Sequence, residues 1–189
     1  MPRDLSIEND KLVVSAIPET KVLRVPGSKQ TATIEAQPEN EEQRGQAQAS
    51  IAPGSQVEIS LSCTGTPSSA SGKIAVRTLA SADGKFYTEI GYDLSNAEMP
   101  FYVDHSHCCT NPSNFTQRAI LSKEPTGIAD TMTVFVDGGL IEAYSGGTVI
   151  TPLLNPDEAA GGAPDARVSS VVNTASGVRC TVTSYKLAY

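Results

Sequence analysis

Val57, Ile59, Leu61 and Cys63 alternate with Glu58, Ser60 and Ser62, the period of two that marks a strand with one dry face and one wet face. Ile74, Val76, Thr78 and Ala80 alternate in the same way with Ala75, Arg77 and Leu79. Asp83-Gly84 then supplies residues that tolerate positive φ, and Phe86, Thr88, Ile90 and Tyr92 run back, which predicts a hairpin. Met132, Val134 and Val136 lead to Asp137-Gly138-Gly139, Leu140 to Tyr144 returns, and Ser145-Gly146-Gly147 turns the chain again into Thr148 to Leu154. A three-stranded meander is expected there. Shorter strands are expected at Leu12 to Ala16, Lys21 to Val25, Ala32 to Ala36, Phe101 to Val103, Arg118 to Leu121 and Val178 to Leu187. Long stretches of helical period are missing. Eleven or so strands punctuated by Gly, Pro and Asn predict one all-β domain over residues 1–189, a two-sheet antiparallel β-sandwich.

Between the strands, Gln37 to Ser50 carries Pro38, Glu39, Glu41 and Glu42 and reads more simply as a solvated loop than as a short helix. Thr64 to Gly72 and Asn155 to Ala166 are rich in Pro, Gly, Ser and Ala and read as surface connections. Charge narrows the partners. The chain of 189 residues has 14 Lys and Arg against 21 Asp and Glu, a formal charge of −7, so no nucleic acid and no anionic membrane is expected to find a basic face on it. No apolar run approaches the roughly 18 residues of a membrane span; even Ile141 to Leu154 is broken by Glu142, Ser145, Gly146, Gly147 and Pro152. The opening Met1-Pro2-Arg3-Asp4 is charged at once and is not expected to act as a secretory signal.

Chemistry is sparse. His105-Ser106-His107-Cys108-Cys109 gathers both histidines and two of the four cysteines, yet the Cys pair is adjacent rather than spaced by two to four residues, and no second cluster completes a ligand set. No metal and no cofactor is expected. Adjacent cysteines rarely pair, because the intervening peptide must distort to reach disulfide geometry. Cys63 and Cys180 both fall on the apolar faces of strands and read either as two buried thiols or as one bridge. Gly-x-Ser-x-Gly, His-Glu-x-x-His and phosphate-cradling loops are absent. Glycosidic hydrolysis needs two carboxylates flanking a scissile bond. Asp83, Glu89, Asp93, Asp104, Asp137 and Glu142 are available, although Asp83 and Asp137 are better explained as turn formers. Glu142 lies in an otherwise apolar strand; it either faces water or, if buried, needs a charged or hydrogen-bonding partner. Asn114-Phe115-Thr116 is the one valid glycosylation triplet, since proline excludes Asn111-Pro112-Ser113.

Several segments, in order, resemble the C-terminal β-sandwich of the family 32 glycoside hydrolases, the invertases, inulinases, levanases and related fructosyltransferases. They are Pro2-Arg3-Asp4-Leu5 with Leu12-Val13 and Leu23-Arg24, Ser81-Ala82-Asp83-Gly84 with Tyr87 through Asp93, Val103-Asp104-His105-Ser106, and Val134 through Tyr144 with Gly146-Gly147 and Thr151 through Pro156. The resemblance implies a lectin-like jelly-roll sandwich and a secreted, extracellular parent enzyme. It also implies a catalytic five-bladed β-propeller as partner. The propeller's Asn-Asp-Pro-Asn, Arg-Asp-Pro and Glu-Cys motifs do not occur here, so no catalytic residue is assigned. His105 stands where the family carries Arg, Gly139 where it carries Ser, and Tyr144 where it carries Phe. If Glu142 pairs with the Val-Asp-x-Ser segment, His105 is the expected substitute base. The resemblance implies a non-catalytic module that supports the propeller or pairs with a second copy. The alternative is an independent sugar-binding module using Tyr87, Tyr92, Phe101 and Tyr102 as platforms.

Overall fold

The alternating stretches become strands wherever one of their faces has another layer to bury against. The structure, a computed structural model, describes residues 1–36, 47–51, 54–67, 71–109, 116–122, 132–152 and 168–188. Its strands are β1 (Arg3–Glu8), β2 (Lys11–Ala16), β3 (Gln30–Glu35), β4 (Ala47–Ile51), β5 (Gln56–Gly65), β6 (Lys73–Ala80) and β7 (Thr88–Asp93). They continue with β8 (Phe101–Asp104), β9 (Thr116–Ala119), β10 (Met132–Asp137), β11 (Leu140–Ser145), β12 (Thr148–Ile150), β13 (Val168–Asn173) and β14 (Val178–Lys186). Two six-stranded sheets, in the orders β12-β11-β10-β5-β14-β3 and β4-β13-β6-β7-β8-β9, pack face to face. Every strand pairing is antiparallel. No helix among the described residues is long and apolar enough to cross a membrane.

The dry layer between the sheets is built from the alternating positions. Val57, Ile59, Leu61, Val134, Val136, Ile141, Val178 and Val182 of the first sheet meet Ile74, Val76, Ile90, Tyr92, Phe101, Val103 and Val171 of the second. Nearly all of them are fully buried, and removing that much apolar surface from water is the main stabilising term of the fold. Gly91 in β7 marks a close approach of backbones: a Cβ there would collide with the Ile74 carbonyl and lie 2.6 Å from the Ala75 Cα.

Four elements depart from the sequence expectation. Lys21 to Val25 is not a strand: Pro18–Leu23 forms a short 3-10 turn with Pro18 at its start, and only Arg24 bridges to Leu187 beyond it. Proline's fixed φ and missing N–H favour the opening of such a turn over a ladder. The end of the expected Gln37 to Ser50 loop is β4, a strand on the edge of the second sheet; residues 37–46 lie outside the described residues, as does the whole of Asn155 to Ala166. β1 and β13 were not anticipated. β13 buries Ser169, Ser170 and Asn173 as well as Val171 and Val172, so it lacks alternation.

The outer face of the first sheet is covered as well. Phe135, Tyr144 and Leu187 form a second apolar cluster with Met1, Val14, Ala16, Leu23 and Val149, so the N-terminal segment folds across that face. Backbone bonds pin it: Val14 N–H to Gly147 O at 2.8 Å and Ala188 N–H to Leu23 O at 2.8 Å. Its β1–β2 hairpin is a separate two-stranded sheet, turned by Asn9 and Asp10 at φ 49° and 61°, residue types that tolerate the left-handed region. Leu5 pairs with Val14 and Ile7 with Leu12 on one hairpin face. Leu5, Ile7 and Leu12 are 63%, 78% and 57% exposed.

Candidate functional site

Ladder register sets Glu142, Phe135, Glu58 and Tyr185 side by side across β11, β10, β5 and β14. All four point away from the central core, beneath the N-terminal segment. Glu142 accepts from Arg3 Nη2 at 2.8 Å and from the Tyr144 hydroxyl at 2.9 Å, with the Met1 amine at 3.0 Å. Burial pushes the Glu142 carboxyl up, but the bonds from Arg3, the amine and Tyr144 outweigh it and hold the group below its ordinary range. Tyr144 is pushed up to about 12 by burial and by the adjoining carboxylate. Glu58 is gripped by Arg24 at both oxygens, and the Arg24 guanidinium lies over the Tyr185 ring. A cavity of about 330 Å³ opens beside this row, lined by Met1, Pro2, Leu23, Phe135, Leu140 and Glu142 among others.

The outer face of the second sheet repeats the arrangement. Glu89 accepts from Arg77 Nε at 2.8 Å and from the Tyr102 hydroxyl at 2.7 Å, with Lys73 Nζ at 3.6 Å. Asp93 accepts from Arg118 Nη2 at 2.7 Å and from Ser95; burial pushes its carboxyl up, yet those bonds leave it lowered. Tyr87 stacks on His107, ring centroids 4.9 Å apart, and the Arg77 guanidinium carbon lies 4.4 Å from the centre of the Tyr87 ring. Lys73, Arg77, Tyr87, Glu89, Asp104 and His107 line a cleft of about 250 Å³.

The sequence candidates divide accordingly. His105 is not the base that meets Glu142: it follows β8 in the opposite sheet, while Arg3, brought over by the N-terminal segment, takes that place. Tyr92, Phe101 and Tyr102 are buried and offer no platform to a sugar; Tyr87 alone of the four is partly open. Asp83 is a turn former, accepting from Ser81 Oγ at 2.6 Å and the Lys85 N–H at 3.2 Å, which holds its carboxyl at about 2. Asp137 sits at the β10–β11 turn near Gln56. Asp104 accepts from the Ser106 N–H; burial raises its carboxyl, and that bond outweighs the effect. Cys63 and Cys180, opposite each other on β5 and β14, are joined as a disulfide. Cys108 and Cys109 are free and half-buried. Asn114 lies outside the described residues. Among the described residues no group of three or more His, Cys, Asp and Glu is close enough to hold a metal ion.

A glycosidase acid must be held protonated near neutrality while its partner stays ionised. Among the described residues each carboxyl group with a displaced pKa, at Asp83, Asp93, Asp104 and Glu142, is displaced downward. The buried acids are consumed by arginine pairs that tie strands and the N-terminal segment together. What sequence reasoning missed were those arginines. Arg3 and Arg24 stood in plain view within the Pro-Arg-Asp-Leu and Leu-Arg elements, but nothing local assigns them to acids 139 and 34 residues away.

A profile described as glycosyl hydrolases family 32 C terminal matches residues 19–184. The fold is similar to that of exo-inulinase from Aspergillus awamori, with TM-score 0.67 and 18% identity over 98% of this chain and 34% of that one. It is also similar to fructan 1-exohydrolase IIa from Cichorium intybus, with TM-score 0.69 and 16% identity over 98% and 40%. The β-fructofuranosidase of Bombyx mori gives TM-score 0.64 and 18% identity over 98% and 32%. The chain thus spans about a third to two-fifths of the length of these enzymes. No curated protein matches it.

Proposed function

The chain belongs to the C-terminal domain family of the family 32 glycosyl hydrolases, and from that premise we propose that it is the supporting β-sandwich of a fructan- or sucrose-acting enzyme, docking on a catalytic domain through the β1–β2 hairpin. A C-terminal domain of this family implies an N-terminal catalytic partner in the full enzyme. The carrying observation is the row of Leu5, Ile7 and Leu12, three large apolar side chains exposed together on one hairpin face. That face lies N-terminal to the matched region 19–184. Covering it with a partner removes apolar surface from water, about 1.5–3 kcal/mol for each side chain fully buried. Sugar binding by the sandwich itself is less well supported, since it rests on Tyr87 alone.

The test is sedimentation of the purified chain with the separately expressed catalytic domain of a family 32 fructan hydrolase, beside the variant Leu5→Asp/Ile7→Asp. The reading expects a complex that the variant weakens at least about tenfold. Equal binding by both proteins sinks the docking face. A self-associated dimer abolished by the same substitutions assigns the face to a second copy instead. Release of fructose from sucrose or inulin by the chain alone sinks the supporting role.

A further inference from the structure

We infer that Cys108 and Cys109 are a vicinal redox pair, a thiol–disulfide modification site in the turn that follows β8. Their sulfurs lie 2.9 Å apart, closer than a relaxed thiol contact, and both side chains are half-buried rather than sealed in the core. The turn is held on both sides. The Cys108 N–H donates to His105 O at 3.1 Å, and the Tyr87 N–H donates to His107 O at 2.8 Å. The His107 ring stacks on Tyr87 at an interplanar angle of 6°. The backbone therefore keeps the two thiols facing each other instead of letting them diverge to opposite faces, as successive residues of an extended strand would.

The oxidant is a disulfide donor such as oxidised glutathione. The Cys109 thiolate attacks one donor sulfur, forming a mixed disulfide and expelling the other sulfur as a thiolate that takes up a proton. Cys108 then loses its proton and attacks the Cys109 sulfur, expelling the second donor thiol. Two thiols become one disulfide, and one donor disulfide becomes two thiols. Burial and the neighbouring sulfur push the Cys108 thiol up, which casts Cys108 as the resolving sulfur. A ring closed across a single peptide bond departs from the usual disulfide geometry. Strained bridges are readily reduced, so the closed form suits a reversible switch better than a permanent staple. The turn borders the cleft rimmed by Arg77, Glu89, Asp104 and His107, so closure reaches the stacked His107–Tyr87 pair directly.

The full chain is equilibrated in glutathione buffers of graded ratio, trapped with an alkylating reagent and mapped by mass spectrometry. The expected product is a peptide carrying both Cys108 and Cys109 unalkylated and lacking two hydrogens, formed at a rate independent of protein concentration. Thiols that remain alkylatable in fully oxidised glutathione, lasting glutathione adducts on the wild-type pair, or bridges between chains each overturn the inference. Cys108→Ser is expected to leave a lasting glutathione adduct on Cys109, because no neighbour remains to expel it. Reduced wild-type protein is expected to bind phenylarsine oxide once per chain and Cys108→Ser not at all; absence of binding by the wild type also overturns it.

Discussion

Arg24 holds Glu58 at both oxygens, Nε 2.7 Å from Oε2 and Nη2 2.6 Å from Oε1, while its guanidinium carbon lies 4.1 Å from the centre of the Tyr185 ring. The pair fastens the end of the N-terminal segment to the middle of the first sheet. Glu58 is buried, so removing Arg24 strands a charge out of water. Arg24→Leu is expected to cost about 3 kcal/mol, and adding Glu58→Met to restore much of it. Urea midpoints of the two singles and the double provide the check; losses that simply add would contradict this account.

Acid should loosen the N-terminal segment first. The Glu142 carboxyl is lowered in the folded chain from an ordinary value of 4.5, so its stabilising contribution is complete above that value. The contribution disappears as pH falls through the lower folded value, because protonation then favours the unfolded chain. Asp93 acts in the same direction on the second sheet. Glu142→Gln should therefore flatten the acid limb of a stability–pH profile, and Arg3→Met should move that limb to higher pH. Thermal midpoints taken from pH 7 downward would decide it, and an unchanged limb in both variants would count against the pairing.

Reduction of Cys63–Cys180 should destabilise the sandwich. The bridge closes a loop of 117 residues; the chain-entropy account places such a cross-link at roughly 5 kcal/mol, and disulfides typically deliver about 2–4 kcal/mol of it. With Cys108 and Cys109 replaced by Ser, the unreduced protein is expected to contain no free thiol, and Cys63→Ala/Cys180→Ala to unfold at clearly lower denaturant. Two free thiols on mass analysis of that background would refute the bridge.

Gly91→Ala should damage the fold far more than Gly138→Ala. At Gly91 the added methyl meets the β6 backbone, which has no room to give; overpacking of that kind costs about 3 kcal/mol or more. At Gly138, in the β10–β11 turn with φ of 58°, nothing lies within 4 Å, so only the conformational penalty of about 1 kcal/mol remains. Comparable midpoints for the two variants would show the β6–β7 approach to be looser than described.

What the sequence revealed, and what it hid, follows from how each element is stabilised. β5, with Val57, Ile59 and Leu61 all buried and Ser60 and Ser62 turned outward, advertises itself by alternation because one face is dry. β1 has no buried residue; it exists through its ladder with β2, and pairing leaves no hydrophobic period to read. β13 fails for the opposite reason, since Ser169, Ser170 and Asn173 are buried beside Val171 and Val172. Hydrogen bonds such as Thr78 to Ser169 and Asn173 Nδ2 to Val178 O satisfy those polar side chains. Glu142 announced that a buried acid would need a base, but its partner arrives from the other end of the chain. Spacing along a sequence carries no information about which arginine a folded segment will deliver.

The stripe of Glu142, Phe135, Glu58 and Tyr185 across four adjacent strands makes alignment of the first sheet self-checking. Sliding β10 by one residue against β5 would invert its faces, drive Phe135 inward and leave Val134 and Val136 against carboxylates. Sliding β5 or β11 instead would drag an ionised acid into the dry layer without its arginine, a penalty several times larger than any contact regained. Misaligned pairings of the first sheet are thereby disfavoured, and the same arginines that tether the N-terminal segment also select its register.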